Sequence, residues 1–195
     1  MKERAELSDQ QLMRRASRDQ DALAQLVKRY RNRLYAFVYR YVGDRETAED
    51  IVQETFLRAM RHRHKFTAIN YVSTWFFTIA VNMAKSELQR RKRWCKEELE
   101  PEEGHSSLAM GGPLPDEEAD TSMVRQQVLR AIGELPEAFR EAVLLRDLND
   151  LAYEQIADVL DCPVGTVKSR VNRGRRHLQV LLRPLAQEVI GQSGG

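Results

Sequence analysis

The sequence predicts an all-α protein: two small helical domains joined by a flexible acidic linker, the second domain containing a helix-turn-helix. Three observations predict it. Apolar residues recur at steps of three and four along most of the chain, and no stretch reads convincingly as a strand or a repeat. From Glu97 to Val124 the composition changes: Lys and Arg are absent, acids accumulate from Glu97 to Asp120, and GGPLP interrupts any helix. Lastly, Tyr153 to Leu178 reads as two helices with a tight break and a basic second half. The boundaries expected are 1–95 for the first domain, 96–122 for the linker, 123–185 for the second domain and 186–195 for a tail.

Taken in order, Ser8 and Asp9 can cap a short helix through Ala16, and Asp19 can cap a longer one over residues 21–42. That second helix places Leu23, Leu26, Val27, Tyr30, Leu34, Phe37, Val38 and Tyr41 on one side, so it is a core helix. Gly43 and Asp44 break it. Thr47, with Asp50 three residues on, has the pattern of a capping box and predicts a helix through Arg63. Its inward side is Ala48, Ile51, Val52, Thr55, Phe56 and Met60; its outward side is Asp50, Gln53, Glu54, Leu57, Arg58 and Arg61. A mixed-charge strip of this kind is ordinarily solvated, yet an exposed Leu among fixed charges also describes a helix that docks on a partner.

Lys65 to Asn70 reads as a loop, and a third long helix follows from Tyr71 to about Arg93. One apolar stripe is Val72, Trp75, Phe76, Ile79 and Met83; a second, Phe77, Val81, Ala84 and Leu88, lies opposite, which predicts burial on two sides. Between them runs a polar line, Thr74, Thr78, Asn82, Lys85, Gln89 and Lys92, ending in the cluster Arg90 to Arg93. Such a line can follow a phosphate backbone, with Phe66 and Tyr71 as a platform for an unstacked base. After the linker, residues 123–135 supply one helix and Pro136 starts another, so that Leu135, Phe139, Val143 and Leu144 can pack on Ile156, Val167 and Val171.

Within the helix-turn-helix, Ile156, Ala157 and Leu160 make the first helix amphipathic. Pro163 suits the first position of the next helix, with Asp161 or Cys162 as its cap. Val164, Val167, Val171, Gly174 and Leu178 form its inward stripe, where Gly174 predicts a close helix contact. The opposite face carries Ser169, Asn172, Arg173 and Arg176, flanked by Lys168 and Arg170. Arg and Lys hold phosphates, while Ser, Asn and Arg also read base edges in a major groove, so this face points to DNA.

Composition excludes other classes. A net charge of +2 over 195 residues hides basic segments at Lys85 to Lys96 and Lys168 to Arg183. Cys95 and Cys162 stand far apart without a CxxC partner, and His62 with His64 lacks a third ligand, so neither a disulfide framework nor a metal is expected. A free thiol at Cys95 beside basic residues is read as incidental rather than as a redox switch. The sequence shows no apolar signal-peptide core, no membrane-spanning stretch, no glycine-rich phosphate loop and no nucleophile elbow. The expectation is a cytoplasmic, non-enzymatic protein without cofactor or small-molecule substrate.

The chain resembles the bacterial sigma-70 family, and within it the compact extracytoplasmic-function (ECF) sigma factors. AEDIVQETFLRAMR, Ala48 to Arg61, is similar to the family's polymerase-binding helix, and TWFFTIAVNMAKSELQRRKR, Thr74 to Arg93, to its promoter-melting helix. Glu134 to Arg173 is similar to its second DNA-binding domain. The resemblance implies a dissociable subunit that binds core RNA polymerase, directs it to promoters and helps open the DNA. Asp50, Gln53, Glu54 and Leu57 would then dock on the clamp helices of the largest polymerase subunit. Phe66 and the loop to Ser73, with Asn82 and Lys85, would hold an extruded base of the minus-ten element, and Arg90, Arg91 and Lys92 its backbone. Lys168, Ser169, Arg170, Asn172, Arg173 and Arg176 would face the minus-thirty-five element. DCPVGTVKSR looks most like members held by a membrane-bound anti-sigma protein that is released under stress. The alternative is a free-standing helix-turn-helix regulator that acts without binding polymerase.

Overall fold

The structure, a computed structural model, describes residues 7–16, 18–62, 71–98, 122–185 and 187. Among these residues the chain is all-α. Its helices are α1 (Asp9–Arg15), α2 (Gln20–Val42), α3 (Arg45–Arg61), α4 (Val72–Glu98), α5 (Ser122–Glu134), α6 (Glu137–Val143), α7 (Tyr153–Leu160) and α8 (Val164–Leu181). A π-helical turn, Leu144–Leu148, extends α6.

In the first helical set, local chemistry fixes the ends and aromatic packing fixes the middle. Ser8 and Gln11 form a reciprocal capping box, and the Asp19 carboxylate accepts the N–H groups of Asp21 and Ala22. Gly43, at φ 74°, closes α2 in the left-handed region where glycine lacks the Cβ penalty. The next helix starts earlier than the sequence suggested. Asp44, extended just after Gly43, accepts the Thr47 N–H at 2.8 Å, so it caps α3 and the Thr47–Asp50 box is not used. Helix α4 lies against α2 and α3. The Phe76 ring sits 5.0 Å from Tyr30 and 5.1 Å from Phe56, and Phe77 meets Phe37 edge-on at 5.5 Å.

Helix α4 also runs to Glu98, past the expected end near Arg93. Arg91 anchors that extension. Its guanidinium donates to the Glu87 carboxylate, the Thr47 hydroxyl and the Val42 carbonyl, and lies 3.5 Å from Asp44. Thr47 and then Arg91 hold the Asp44 carboxyl below the usual carboxylate range, and Arg90 and Arg91 do the same to Glu87.

The second set is built around α8. Val167 and Val171 are fully buried beneath it, and Gly174 makes the predicted close contact: a Cβ there would lie 2.5 Å from Val143 Cγ2. The Asp161 residue takes a left-handed conformation (φ 48°) as the C-cap of α7, and Pro163 is the N-cap of α8 rather than its first helical residue. Neither Asp161 nor Cys162 caps α8. Arg140, buried on α6, donates to the carbonyls of Gly133 and Leu135 at the end of α5, which satisfies groups that helix geometry leaves unpaired. The π turn is closed by Asn149, whose Nδ2–H donates to the Leu144 carbonyl.

The two sets pack on each other, and one buried apolar cluster contains residues of both. Polar contacts fix the register. Arg33 donates to the Asn149 carbonyl, the Tyr41 hydroxyl to Glu137, and Gln155 to the Ser73 hydroxyl. Lys85 Nζ meets Glu141 Oε2 at 2.7 Å as an ion pair.

Two predictions follow from this packing. Gly174→Ala gains helix propensity but drives a methyl into the stiff Val143 side chain, with Phe139 atoms 3.4 Å behind, so a net loss of about 1 to 2 kcal/mol is expected. The urea midpoint measures it; Val143→Ala in the same chain should recover part of the loss, and an unchanged midpoint for Gly174→Ala alone would refute the close contact. The Asp44 and Glu87 pKa values are lowered by folding, so their stabilisation is present above the unfolded values near 4 and is lost as pH falls through the folded ones. Denaturation midpoints should therefore drop below about pH 4, and less steeply in Asp44→Asn/Glu87→Gln.

Candidate nucleic-acid interface

Three outward faces stand on this framework. On α8 the inward valines turn Lys168, Ser169, Asn172, Arg173 and Arg176 to solvent, where all five are exposed. Arg170 departs from that group. It is half-buried and turns back against its own helical set, with Nη1 3.9 Å from Glu141 Oε1 and 3.8 Å from Cys162 Sγ. Lys168 has a cation–π contact with the Tyr153 ring, its Nζ 5.7 Å from the centroid, and Arg146 sits over the same ring at 4.8 Å. Arg175 was not singled out in the sequence. It makes a two-point ion pair with Asp147, at 3.0 Å for Nε, that ties α8 to the π turn.

On α4 the polar line is not uniformly free. Asn82 is exposed and Arg90 is exposed but paired with Glu87. Lys85 pairs with Glu141, Lys92 lies 3.5 Å from Glu137, and Arg91 is held at the α2–α3 junction. Tyr71 is 55% exposed at the start of the helix; Phe66, its expected companion, lies outside the described residues. The side chain of Cys95 lies outside them too.

The third face is on α3. Asp50 and Gln53 are exposed, Glu54 is half-exposed, and Leu57 is 51% exposed at the centre of the strip. Arg58 donates to Glu54 at 2.7 Å and holds its carboxyl below the ordinary range. Beside this strip a groove of about 550 Å³ lies between α3 and α4, lined by Ile51, Trp75, Ile79 and Met83 together with polar residues that include Arg58, Asn82 and Arg90. Trp75, Ile79 and Met83 are accordingly only partly buried. No group of His, Cys, Asp and Glu suited to a metal occurs among the described residues, and none of their helices is long and apolar enough to cross a membrane.

The outward helix-turn-helix face, the polar line on α4 and the charged strip on α3 thus stand on the two helical sets. The family model Sigma-70 region 2 matches residues 26–94, and Sigma-70, region 4 matches residues 125–178. The ECF RNA polymerase sigma-E factor of Haemophilus influenzae is 37% identical over 186 residues, which cover 92% of this chain and 98% of that protein. The ECF RNA polymerase sigma factor SigW of Bacillus subtilis is 33% identical over 86% of this chain and 92% of its own length. Among solved structures, the sigma factor RpoE in complex with the anti-sigma factor NepR from Bartonella quintana matches at a TM-score of 0.67 and 28% identity, covering 82% of this chain and 96% of that one. CnrH in complex with the cytosolic domain of CnrY matches at 0.67 and 25%, covering 90% and 97%. Both family models lie on the two helical sets that carry the three faces, and the chain belongs to the sigma-70 family as an RNA polymerase sigma factor of the ECF group.

Proposed function

We propose that this sigma factor works through three separate surfaces, one for polymerase and two for promoter DNA, and carries out no chemistry of its own. The observation that carries the reading is the α3 strip. Leu57 stands half-exposed between Asp50, Gln53 and Glu54, an apolar contact ringed by fixed charge, and this is the composition of a docking helix. It takes the clamp helices of the largest polymerase subunit.

The minus-thirty-five element, as duplex, lies against α8, where Ser169, Asn172, Arg173 and Arg176 reach base edges and Lys168 reaches phosphate. Arg170 contributes charge from the flank. The minus-ten element, as a separated strand, follows α4, with Asn82 and Lys85 beside an extruded base, Arg90, Arg91 and Lys92 along the backbone, and Phe66 as the stacking residue. Domains bounded at 1–95 and 123–185 with a linker at 96–122 let two weak sites act at once when polymerase sets their spacing. The protein acts in the cytoplasm, and an anti-sigma factor, membrane-bound as in the members it resembles, covers the polymerase-docking face until a stress signal removes it. Two solved relatives with anti-sigma partners, and the open groove between α3 and α4, support that control.

Asp50→Lys/Glu54→Lys is expected to abolish binding to core RNA polymerase in a pull-down while leaving the thermal unfolding curve in place; retained binding would remove the α3 strip from the account. Arg173→Ala and Arg176→Ala should each weaken binding of holoenzyme to duplex promoter by about 1 to 3 kcal/mol and relax base preference at one position. Titration against promoter variants reads both effects.

A further inference from the structure

Charge on the outward strip of α3 is divided end from end. Before Leu57 the strip carries exposed Glu46, Glu49, Asp50 and Gln53 and half-exposed Glu54; after it come exposed Arg58, Arg61 and His62. The acidic half holds one cation, Arg45, which is paired with Glu49. Leu57, 51% exposed, stands where the sign changes. Acids first and bases last also suit the dipole of the helix, yet the dipole asks for no exposed leucine between them. Such a strip is complementary to itself, because turned end for end its acidic half faces its own basic half.

We infer that in the absence of polymerase the partner of this strip is a second copy of the chain: two α3 helices pair antiparallel about a two-fold axis through Leu57, and each copy covers the other's docking face. In that pair a position some residues before Leu57 lies opposite the position equally far after it. Leu57 meets the partner's Leu57, and Gln53 stands opposite the partner's Arg61, with Glu54 and Asp50 displaced from it by no more than about 5 Å along the axis. Arg58 already holds one oxygen of Glu54 at 2.7 Å, and a carboxylate has acceptor sites for a second guanidinium. The two-fold axis makes every contact twice. One helix face from each copy is a small interface of the transient class, with a dissociation constant on the order of 10 to 100 µM. The pair therefore opens by dilution, or by mass action when polymerase takes single chains. That last consequence rests on the docking reading above; the pairing does not.

The test is sedimentation of the full chain without polymerase, from about 1 to 300 µM, a range that spans the expected constant. The wild type should move from the 22.6 kDa of one chain towards twice that mass, and less so as salt rises. Asp50→Lys/Glu54→Lys makes the strip around Leu57 basic, and Arg58→Glu/Arg61→Glu makes it acidic. Either variant alone should associate at least about tenfold more weakly than the wild type, because like charges then face each other in both halves. Mixed one to one, the two variants should recover the dimer as a heterodimer, since both symmetry-related contacts then join opposite charges. Thermal unfolding checks that each variant is folded. Leu57→Cys with Cys95→Ser and Cys162→Ser places two thiols across the axis and should oxidise to a disulfide-linked dimer; Val180→Cys in the same background, at a 70% exposed position of α8, should not. A wild type that stays monomeric throughout overturns the proposal. A charge variant that dimerises like the wild type, a mixture that fails to recover the dimer, or equal cross-linking at both cysteines overturns the pairing through α3. None of these outcomes bears on polymerase docking, which the pull-down described above decides separately.

Discussion

Helix α4 carries an apolar stripe on each of two sides, and the rest of the molecule follows from that. Phe76 and Phe77 are fully buried, so α2 and α3 close on them from different directions, with Tyr30, Phe37 and Phe56 as the partners. Burying rings of this size dominates the packing energy of a small domain. Once those contacts are made, the orientation of every polar side chain on α3 and α4 is set by helical geometry. The charged strip around Leu57 and the line from Asn82 to Lys92 are consequences of the same core.

The second helical set meets the same constraint at smaller scale. Helix α8 is held by two fully buried valines and by Gly174, whose missing Cβ lets it settle against Val143. That close seat turns its Ser, Asn and Arg residues outward together. Charge then separates into two kinds. Arg91, Arg140 and Arg175 are tied to carbonyls or carboxylates of neighbouring elements; Arg173 and Arg176 stand exposed on α8. Lys85 and Lys92 of α4 meet Glu141 and Glu137 of α6 across the interface.

Periodic features were legible in the sequence. The double stripe of α4, the inward valines of α8, the close contact at Gly174 and the exposure of Leu57 each follow from spacing of three and four residues, and each is present. Features set by a single side chain or by distant pairing were not. Asp44 takes the cap because the left-handed Gly43 places it in an extended conformation, a backbone fact that the Thr47–Asp50 pattern does not contain. Arg91 read as one of four equal cations, yet it alone reaches the α2–α3 junction. Arg170 lies on the flank of the outward face by angle, but Glu141, far away in sequence, draws it inward. The extension of α6 by a π turn is accompanied by the Asn149 to Leu144 and Arg146 to Leu151 hydrogen bonds, and no period announces it.

As a sigma factor, this chain gives core RNA polymerase a promoter sequence that the enzyme does not otherwise read. The direct measurement is transcription from a fragmented genomic library by core polymerase with and without the chain, followed by sequencing of the RNA starts. Starts that appear only with the chain and share a pair of upstream elements at fixed spacing are expected. An unchanged set of starts, together with failure of the chain to bind core polymerase, would contradict it.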